Sequence, residues 1–228
     1  MRRRLPADES KQRILEAAER RLREGGPNAV RMREVARDLG ITDAAVAHHF
    51  RNRAGLLDAL ARFGARRLRA AVEEAVGSTK AAAPDIHHLA ALALDTFERR
   101  GYSRLLLWLT ISGLRVDRGS GMFADLARAV ERAREDACRQ AGRKPPAPND
   151  TRFLAALFVM TLFAEPLIGE ASRRSVGLPG NRATTRRFRA WLAETIAALV
   201  SESQLPSTRR PGKAPLLRLR RRHAAAVR

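Results

Sequence analysis

Residues Val30 to Leu60 read VRMREVARDLGITDAAVAHHFRNRAGLLDAL, and their pattern decides the local fold. Apolar residues recur at helical spacing on both sides of a short segment centred on Gly40. Glycine tolerates the positive φ that a sharp turn requires. The pattern therefore predicts a helix from about 31 to 39, a turn at Gly40, and a second short helix from Thr42 to about His49. The apolar positions that give both helices a buried face are Met32, Val35, Ala36, Leu39, Ile41, Val46 and Phe50.

Two short helices joined by a tight turn are typical of a helix-turn-helix, whose second helix enters the major groove of DNA. Thr42 is a suitable N-cap for that second helix. Once Val46 and Phe50 point into the core, the opposite side of the helix faces outward. That outward side carries Asp43, Ala44, Ala47 and His48. The pattern therefore predicts a DNA-reading surface there.

Helical periodicity continues on both sides of this stretch, and strand-like alternation is almost absent. A first helix is predicted from near Asp8 or Ser10 to Gly25, and a fourth from about Arg53 to Val76. Further helices are predicted at about 85–99, 102–113, 121–140, 150–169 and 182–202, and Pro166 is expected to kink or tighten the end of the fourth of these. The predicted fold class is all-α.

The organisation predicted from these elements has three parts. Residues 8–53 form a helix-turn-helix head, residues 54–202 form a larger helical body, and residues 203–228 form a basic tail. The tail is expected to be disordered, because it carries several arginines and no pattern that would bury a core.

Charge and composition limit the possible partners. The 228 residues include 44 Lys and Arg against 24 Asp and Glu, which gives a formal net charge of +20. Such a balance favours a polyanionic partner. Cys138 is the single cysteine, so an internal disulfide is excluded and a reducing cytoplasm is expected. The most apolar run, 153–164, is shorter than the roughly 20 residues that span a bilayer. We therefore expect a buried helix there, no membrane partner and no secretory signal.

The sequence resembles the TetR-type (tetracycline-repressor-like) transcriptional regulators over roughly residues 10 to 60. The matching residues are Glu34-Val35-Ala36, Leu39-Gly40-Ile41-Thr42, Val46-Ala47, His49-Phe50, Arg53 and Leu56-Leu57. Two positions depart from the family pattern: Ala47 stands where the family has a tyrosine, and Arg31 stands where a polar N-cap is usual. The resemblance implies a DNA-binding head followed by a helical bundle that dimerises and binds a small, often hydrophobic effector.

The predicted DNA contacts lie on the second helix of the motif and beside it. They are Arg31, Arg33, Thr42, Asp43, Ala44, Ala45, Ala47, His48, His49, Arg51 and Arg53. Arg53 matches a family lysine and is expected to bind phosphate, while His49 either reaches phosphate or braces two helices. Asp43 either accepts a hydrogen bond from a cytosine amine or interacts only with the helix dipole. Arg2–Arg4 form either a minor-groove arm or a disordered end.

Two further surfaces are predicted in the body. The last two helices are expected to form a four-helix dimer interface, through Phe153, Leu157, Met160, Phe188, Leu192, Ile196 and Leu199. An effector cavity is predicted near the middle of the body, although core packing is the more common role for any one of its residues. Those residues are Tyr102, Leu106, Trp108, Leu109, Met122, Phe123 and Phe158.

The helix-turn-helix pattern and the net charge, together with the resemblance, imply a sequence-specific, homodimeric transcriptional regulator, most often a repressor, whose partners are an operator in double-stranded DNA and a small effector. The alternative is a nucleic-acid-associated protein that binds through charge alone and has no operator. No nucleophile, phosphate-binding loop or metal-ligand spacing occurs in the sequence. We therefore expect neither enzymatic activity nor a cofactor or metal.

Overall fold

Nine α-helices make up the described part of the chain in the computed structural model, which covers residues 6–77, 85–114, 124–145 and 147–201. Within these residues no strand occurs, so the predicted all-α class is confirmed. The helices are α1 (Ala7–Gly25), α2 (Met32–Leu39), α3 (Asp43–Phe50), α4 (Arg53–Gly77), α5 (Ile86–Leu94), α6 (Tyr102–Ile111), α7 (Ala124–Gln140), α8 (Pro148–Ser175) and α9 (Arg182–Ser201). The predicted tail at 203–228 lies outside the described residues.

The head is built as its apolar pattern predicts. Ile14, Val35 and Val46, one from each of the first three helices, are completely buried. The chain turns after α2 at Gly40, which is left-handed with φ 61°. Ile41 is the exception to the predicted buried face, since 36% of it is exposed. It lies between the ends of α2 and α3, so neither helix turns it toward the core.

A bidentate ion pair fastens α1 to α2. The Arg21 guanidinium donates from Nε to Asp38 Oδ2 and from Nη2 to Asp38 Oδ1, at 2.6 Å each. Glu34 lies 3.5 Å from the same guanidinium. The hydrogen bonds from Arg21 hold the pKa of the Asp38 carboxyl below its usual range.

The body departs from the predicted helix limits in two places. The helix predicted at 85–99 ends as an α-helix at Leu94 and continues as a π-helix over Asp95–Arg99. The helix predicted to end near 169 runs through Pro166 to Ser175. Pro166 removes only one backbone hydrogen-bond donor from α8, so side-chain packing before and after it can keep the helix continuous.

A buried ion pair spans the turn that follows Pro166. Arg173 Nη1 donates to Glu165 Oε1 at 2.9 Å, and Arg189 of α9 pairs with the other oxygen of the same carboxylate. Gly169 lies between the two partners on α8, where an added Cβ would come within 2.9 Å of Arg173 Nη1. Glycine therefore leaves the room that this pair occupies.

The prediction that the apolar run of α8 is buried is wrong for one side of the helix. Leu154, Phe158 and Leu162 are buried, but Phe153 and Met160 are each 60% exposed. By length and composition, the helix at 149–175 would be able to cross a membrane. Its most apolar 18-residue stretch has a mean hydropathy of 1.7, and 22% of that stretch is buried. One side of α8 is thus an apolar surface that the described chain leaves uncovered.

Candidate nucleic-acid interface

Helix α3 is seated on α2 and α4 with one face buried and the other exposed. Val46 and Phe50 are buried, whereas Asp43, Ala44 and His48 are exposed. Ala47 is half-buried, and this is the position where the resemblance would place a tyrosine. Three of the four residues predicted to face outward are therefore exposed, and that face is small, with one acidic and one imidazole side chain.

The start of α3 is fixed by the cap that the sequence predicts. The Thr42 hydroxyl Oγ1 accepts a hydrogen bond from the Ala45 N–H at 3.2 Å. This satisfies one of the backbone donors that the first turn of a helix leaves unpaired. The cap holds the first turn of α3, including Asp43 and Ala44, in one orientation.

The end of α3 is a strained turn that the sequence did not reveal. Arg51 has φ 63° and ψ −56°, and the Asn52 N–H donates to the Phe50 carbonyl at 2.7 Å. This is the rare form of the γ-turn with positive φ, which an arginine adopts at a cost. Gly55 allows it, because an added Cβ there would lie 2.2 Å from the Phe50 oxygen. The exposed Arg51 therefore projects from a constrained backbone.

Asn52 caps α4 directly after this turn, since its Oδ1 accepts from the Gly55 N–H at 2.9 Å. Asparagine is among the preferred N-cap residues, and it stands immediately before the predicted helix start. An asparagine at this position was the sequence feature that could have predicted the cap. Asn52 thus fixes the start of α4 immediately after the end of α3.

Arg53 has a different environment from the one its predicted role requires. Its Nε donates to the Val30 carbonyl at 2.9 Å and its Nη2 to the Pro27 carbonyl at 2.7 Å. The guanidinium carbon also lies 4.9 Å from the ring centroid of Trp108 on α6. Burial, and then the charge of Arg31, lower the pKa of Arg53. The side chain thus ties the α1–α2 connection to α4 and α6, and phosphate binding by Arg53 stays a prediction.

The other predicted cations, at the start of α2 and at the end of α3, are not buried. Arg31, Arg33 and Arg51 are exposed, and Arg31 Nε makes a 3.3 Å hydrogen bond to the Asn28 carbonyl. Their guanidinium groups are accessible to phosphate oxygens on either side of a bound groove. Arg2–Arg4 lie outside the described residues.

His49 is half-buried between its neighbours, with its ring centroid 5.3 Å from that of His48 and 6.1 Å from that of Phe50. Burial lowers the pKa of His49 below 6.5, and the charges of His48 and Lys11 add to the effect. The imidazole is therefore neutral at pH 7, and it would meet a phosphate as an N–H donor rather than as a cation.

The contact between head and body is polar and tight. The Tyr102 hydroxyl donates to Glu19 Oε1 of α1 at 2.8 Å, and burial raises the pKa of Tyr102 above its usual range. Gly64 of α4 lets the ring approach, because a Cβ there would lie 2.2 Å from it. The hydroxyl of Tyr102 is thus committed to the head and is not available as a polar group for an effector.

The remaining predicted effector residues are distributed unevenly. Leu109 and Phe158 are buried, and Leu106 and Trp108 are half-buried. Met122 and Phe123 lie outside the described residues. Among the residues that the structure describes, no group of His, Cys, Asp and Glu could hold a metal ion.

The predicted dimer residues divide between core and surface. Phe153, Leu157 and Met160 of α8 are exposed, but Leu192 and Ile196 of α9 are 8% and 3% exposed. Helix α9 packs on α5 and α8 of its own chain, and the contribution of these two residues to a dimer interface stays a prediction. Phe188 and Leu199 are half-buried, and the neighbouring Trp191 is exposed.

Comparison with known proteins agrees with this geometry. Residues 14–60 match the family model described as Bacterial regulatory proteins, tetR family. That range covers α1 from Ile14 to its end, all of α2 and α3, and the first two turns of α4. A comparison with curated protein sequences gave no match.

Solved structures share the fold of nearly the whole chain. A protein of unknown function from Rhodococcus sp. RHA1 is 24% identical with a TM-score of 0.56, covering 85% of this chain and 96% of its own. A protein from Rhodococcus sp. described as a TetR-family transcriptional regulator is 17% identical with a TM-score of 0.57, covering 85% and 100%. AibR, solved with isovaleryl coenzyme A and operator DNA, is 19% identical with a TM-score of 0.52, covering 82% and 97%.

These similarities bear on different parts of the chain. The structural neighbours show the fold of head and body together, and the family model matches the head alone. Residues 14–60 are thus similar to the DNA-binding head that this family model describes.

Proposed function

We propose that the chain is a transcriptional repressor that binds a specific operator as a homodimer and is controlled by a small hydrophobic effector. The observation that carries this proposal is the outward face of α3, where Asp43, Ala44 and His48 are exposed on a helix capped at one end and constrained at the other. In a helix-turn-helix, side chains at these positions contact base edges in the major groove. Asp43 would accept from a cytosine amine, and Ala44 would pack on a thymine methyl.

Phosphate contacts supply the remaining affinity in this proposal. Arg31, Arg33 and Arg51 lie exposed beside α3 and would bind the backbone on its two sides. Thr42, Ala45, Ala47 and His49 contribute small or neutral contacts. Arg53 acts mainly by positioning, because two of its nitrogens already donate to the carbonyls of Val30 and Pro27.

The apolar face of α8 and α9 supports the homodimer. Phe153, Leu157, Met160 and Ile168 are all more than half exposed, and Trp191 of α9 is exposed beside them. A groove of about 420 Å³ runs along the same face, lined by residues that include Met160, Ile168 and Phe188. A monomer seldom leaves so much contiguous apolar surface in water, so a second copy is the simplest cover.

The body, at residues 54–202, is the proposed effector-binding part. The fold neighbour AibR was solved with isovaleryl coenzyme A as well as operator DNA. Half-buried Leu106 and Trp108 on α6 lie between the head and the core, where an apolar ligand would alter the contact of Trp108 with Arg53. Under this proposal the protein works in the cytoplasm and catalyses no reaction.

Selection of bound duplexes from a random DNA pool, at about 150 mM salt, tests the proposal. A repressor of this kind enriches a palindrome whose half-sites lie about one helical turn apart or a multiple of it. A charge-driven protein enriches no motif, and its affinity falls steeply with salt for every sequence alike. Recovery of no motif would therefore contradict the operator and favour the alternative.

A further inference from the structure

A charged cleft of about 350 Å³ lies between the head and the body, away from the apolar groove of α8 and α9. One wall is α1 and the other is the π-helix that follows α5. The cleft is lined by Glu19, Arg20, Arg23, Asp95, Arg99 and Arg100. Four arginines thus face two carboxylates in one concave site.

Both carboxylates are already used within the protein. Glu19 accepts from the Tyr102 hydroxyl at 2.8 Å and from Arg67 Nη1 at 3.0 Å. Asp95 accepts from Arg100 Nε at 2.8 Å, and Arg100 Nη1 lies 3.5 Å from Glu19. These bonds neutralise Arg100 and hold the two walls at a fixed spacing. The positive charges of the other three arginines in the cleft, Arg20, Arg23 and Arg99, are not balanced by these carboxylates.

Arg20, Arg23 and Arg99 have only weak internal partners. Arg23 and Arg99 approach Glu24 and Asp95 no closer than 3.9 Å, and their side chains are 57% and 80% exposed. Among the residues that the structure describes, none forms an ion pair with Arg20. Their guanidinium groups can therefore turn toward a ligand and bind phosphate oxygens in a bidentate manner.

The backbone of the second wall supports a binding role. The Arg100 N–H donates to the Asp95 carbonyl at 3.0 Å, the i to i+5 bond of a π-helix. Such turns are rare and are frequent at functional sites. Here the wider turn brings Asp95, Arg99 and Arg100 to the same wall.

We infer that this cleft binds a small polyanion that carries at least two phosphate groups. A concave site with arginines on both walls surrounds a compact ligand, whereas a convex DNA backbone would meet one wall at a time. Because one wall belongs to the head and the other to the body, the ligand binds best when the two are held as they are here. Its binding is thereby coupled to the orientation of the head.

Isothermal titration of the full chain with inorganic triphosphate, at about 150 mM salt, tests the site. The variant Arg23→Ala/Arg99→Ala removes one guanidinium from each wall. The control Arg66→Ala/Arg132→Ala removes the same charge from exposed positions on α4 and α7. We expect the cleft variant to bind at least about tenfold more weakly and the control to differ little from wild type. The variant Arg23→Lys/Arg99→Lys, which keeps the charge but loses the planar fork, should recover only part of the affinity.

Three results would overturn the inference. The first is no binding of triphosphate by the wild-type chain, and the second is an equal loss in the cleft and control variants, which would indicate non-specific attraction by the basic protein. The third comes from a separate competition titration: displacement of triphosphate by a short DNA duplex of unrelated sequence would assign these arginines to nucleic acid. The first two outcomes come from titrations that contain no DNA, so they are independent of whether the operator exists.

Discussion

The head and the α8–α9 face both carry regular apolar stripes, yet the chain buries one and exposes the other. In the head, Ile14, Val35 and Val46 are completely buried. On α8, the apolar residues Phe153, Leu157 and Met160 are half or more exposed. An amphipathic helix with one apolar stripe has one surface to bury, whereas a helix that is apolar nearly all round needs a second cover. The difference identifies which stripe belongs to the chain's own core and which is available to a partner.

The two regions also differ in how they hold their charges. The Arg21–Asp38 pair of the head lies near the surface, with side chains 22% and 31% exposed. The Glu165–Arg173 pair of the body is 2% and 6% exposed and lies at the floor of the apolar groove. A surface pair contributes little to stability, while a buried pair is costly to break. Removing one partner of the Glu165–Arg173 pair is therefore expected to cost more stability than removing one partner of the Arg21–Asp38 pair.

The largest expected effect is the loss of the head's core aromatic. Phe50 is 5% exposed, so Phe50→Ala should lower the free energy of unfolding by about 3–5 kcal/mol through the cavity it leaves. Thermal and denaturant unfolding measure this. The matched variant Phe153→Ala removes the same ring from the exposed face of α8, and its effect should depend on protein concentration. Equal, concentration-independent losses in the two variants would contradict the distinction between core and interface.

A charge placed on the α8 face should separate the two copies. Met160→Glu puts a carboxylate into the proposed interface and should weaken dimerisation by at least about 30-fold, near 2 kcal/mol. Sedimentation equilibrium measures the change. Ile111→Glu is the control, because Ile111 is 74% exposed on α6 and away from this face. A Met160→Glu chain that stays dimeric would move the interface elsewhere.

Removal of the cap on α3 should have a smaller effect. Thr42→Ala loses the hydrogen bond from the Ala45 N–H and should cost about 1 kcal/mol of head stability. Thr42→Ser keeps the hydroxyl and should restore most of it. If urea unfolding showed the two variants to be equally stable, the cap would have no energetic role.

The smallest expected effect concerns pH. Arg21 lowers the pKa of Asp38 from its ordinary value of 3.8. As the pH falls, Asp38 is therefore protonated at a higher pH in the unfolded chain than in the folded chain. The stabilisation is complete above that ordinary value and is lost as pH falls through the folded pKa. Asp38→Asn should cost about 0.5 kcal/mol at pH 7, and the difference from wild type should vanish in acid. A difference that persists in acid would show that the ion pair is not its source.

The sequence predicted the head closely because its determinants are local. The Gly40 turn, the Thr42 cap and the stripe through Val46 and Phe50 each depend on residues a few positions apart. The role of Arg53 was not predictable in this way, because its partners at Pro27, Val30 and Trp108 are brought together only by tertiary packing.

The same reason limits what the sequence could predict about the body. Leu192 and Ile196 form a regular stripe, but periodicity does not say whether a stripe faces its own core or a partner. Where α8 continues past Pro166, Glu165 pairs with Arg173, eight residues away, and with Arg189 of another helix. Such contacts leave no short-range pattern in the sequence.

The most direct test of the central claim is whether the outward face of α3 determines the DNA sequence that is bound. The duplex selection is run in parallel on the wild-type chain, on Asp43→Ala/His48→Ala, and on Arg66→Ala as an exposed control outside α3. We expect the α3 variant to select altered bases within the half-sites while their spacing stays the same, and the control to select the wild-type motif. Selection of an unchanged motif by the α3 variant would contradict the assignment of α3 as the reading helix.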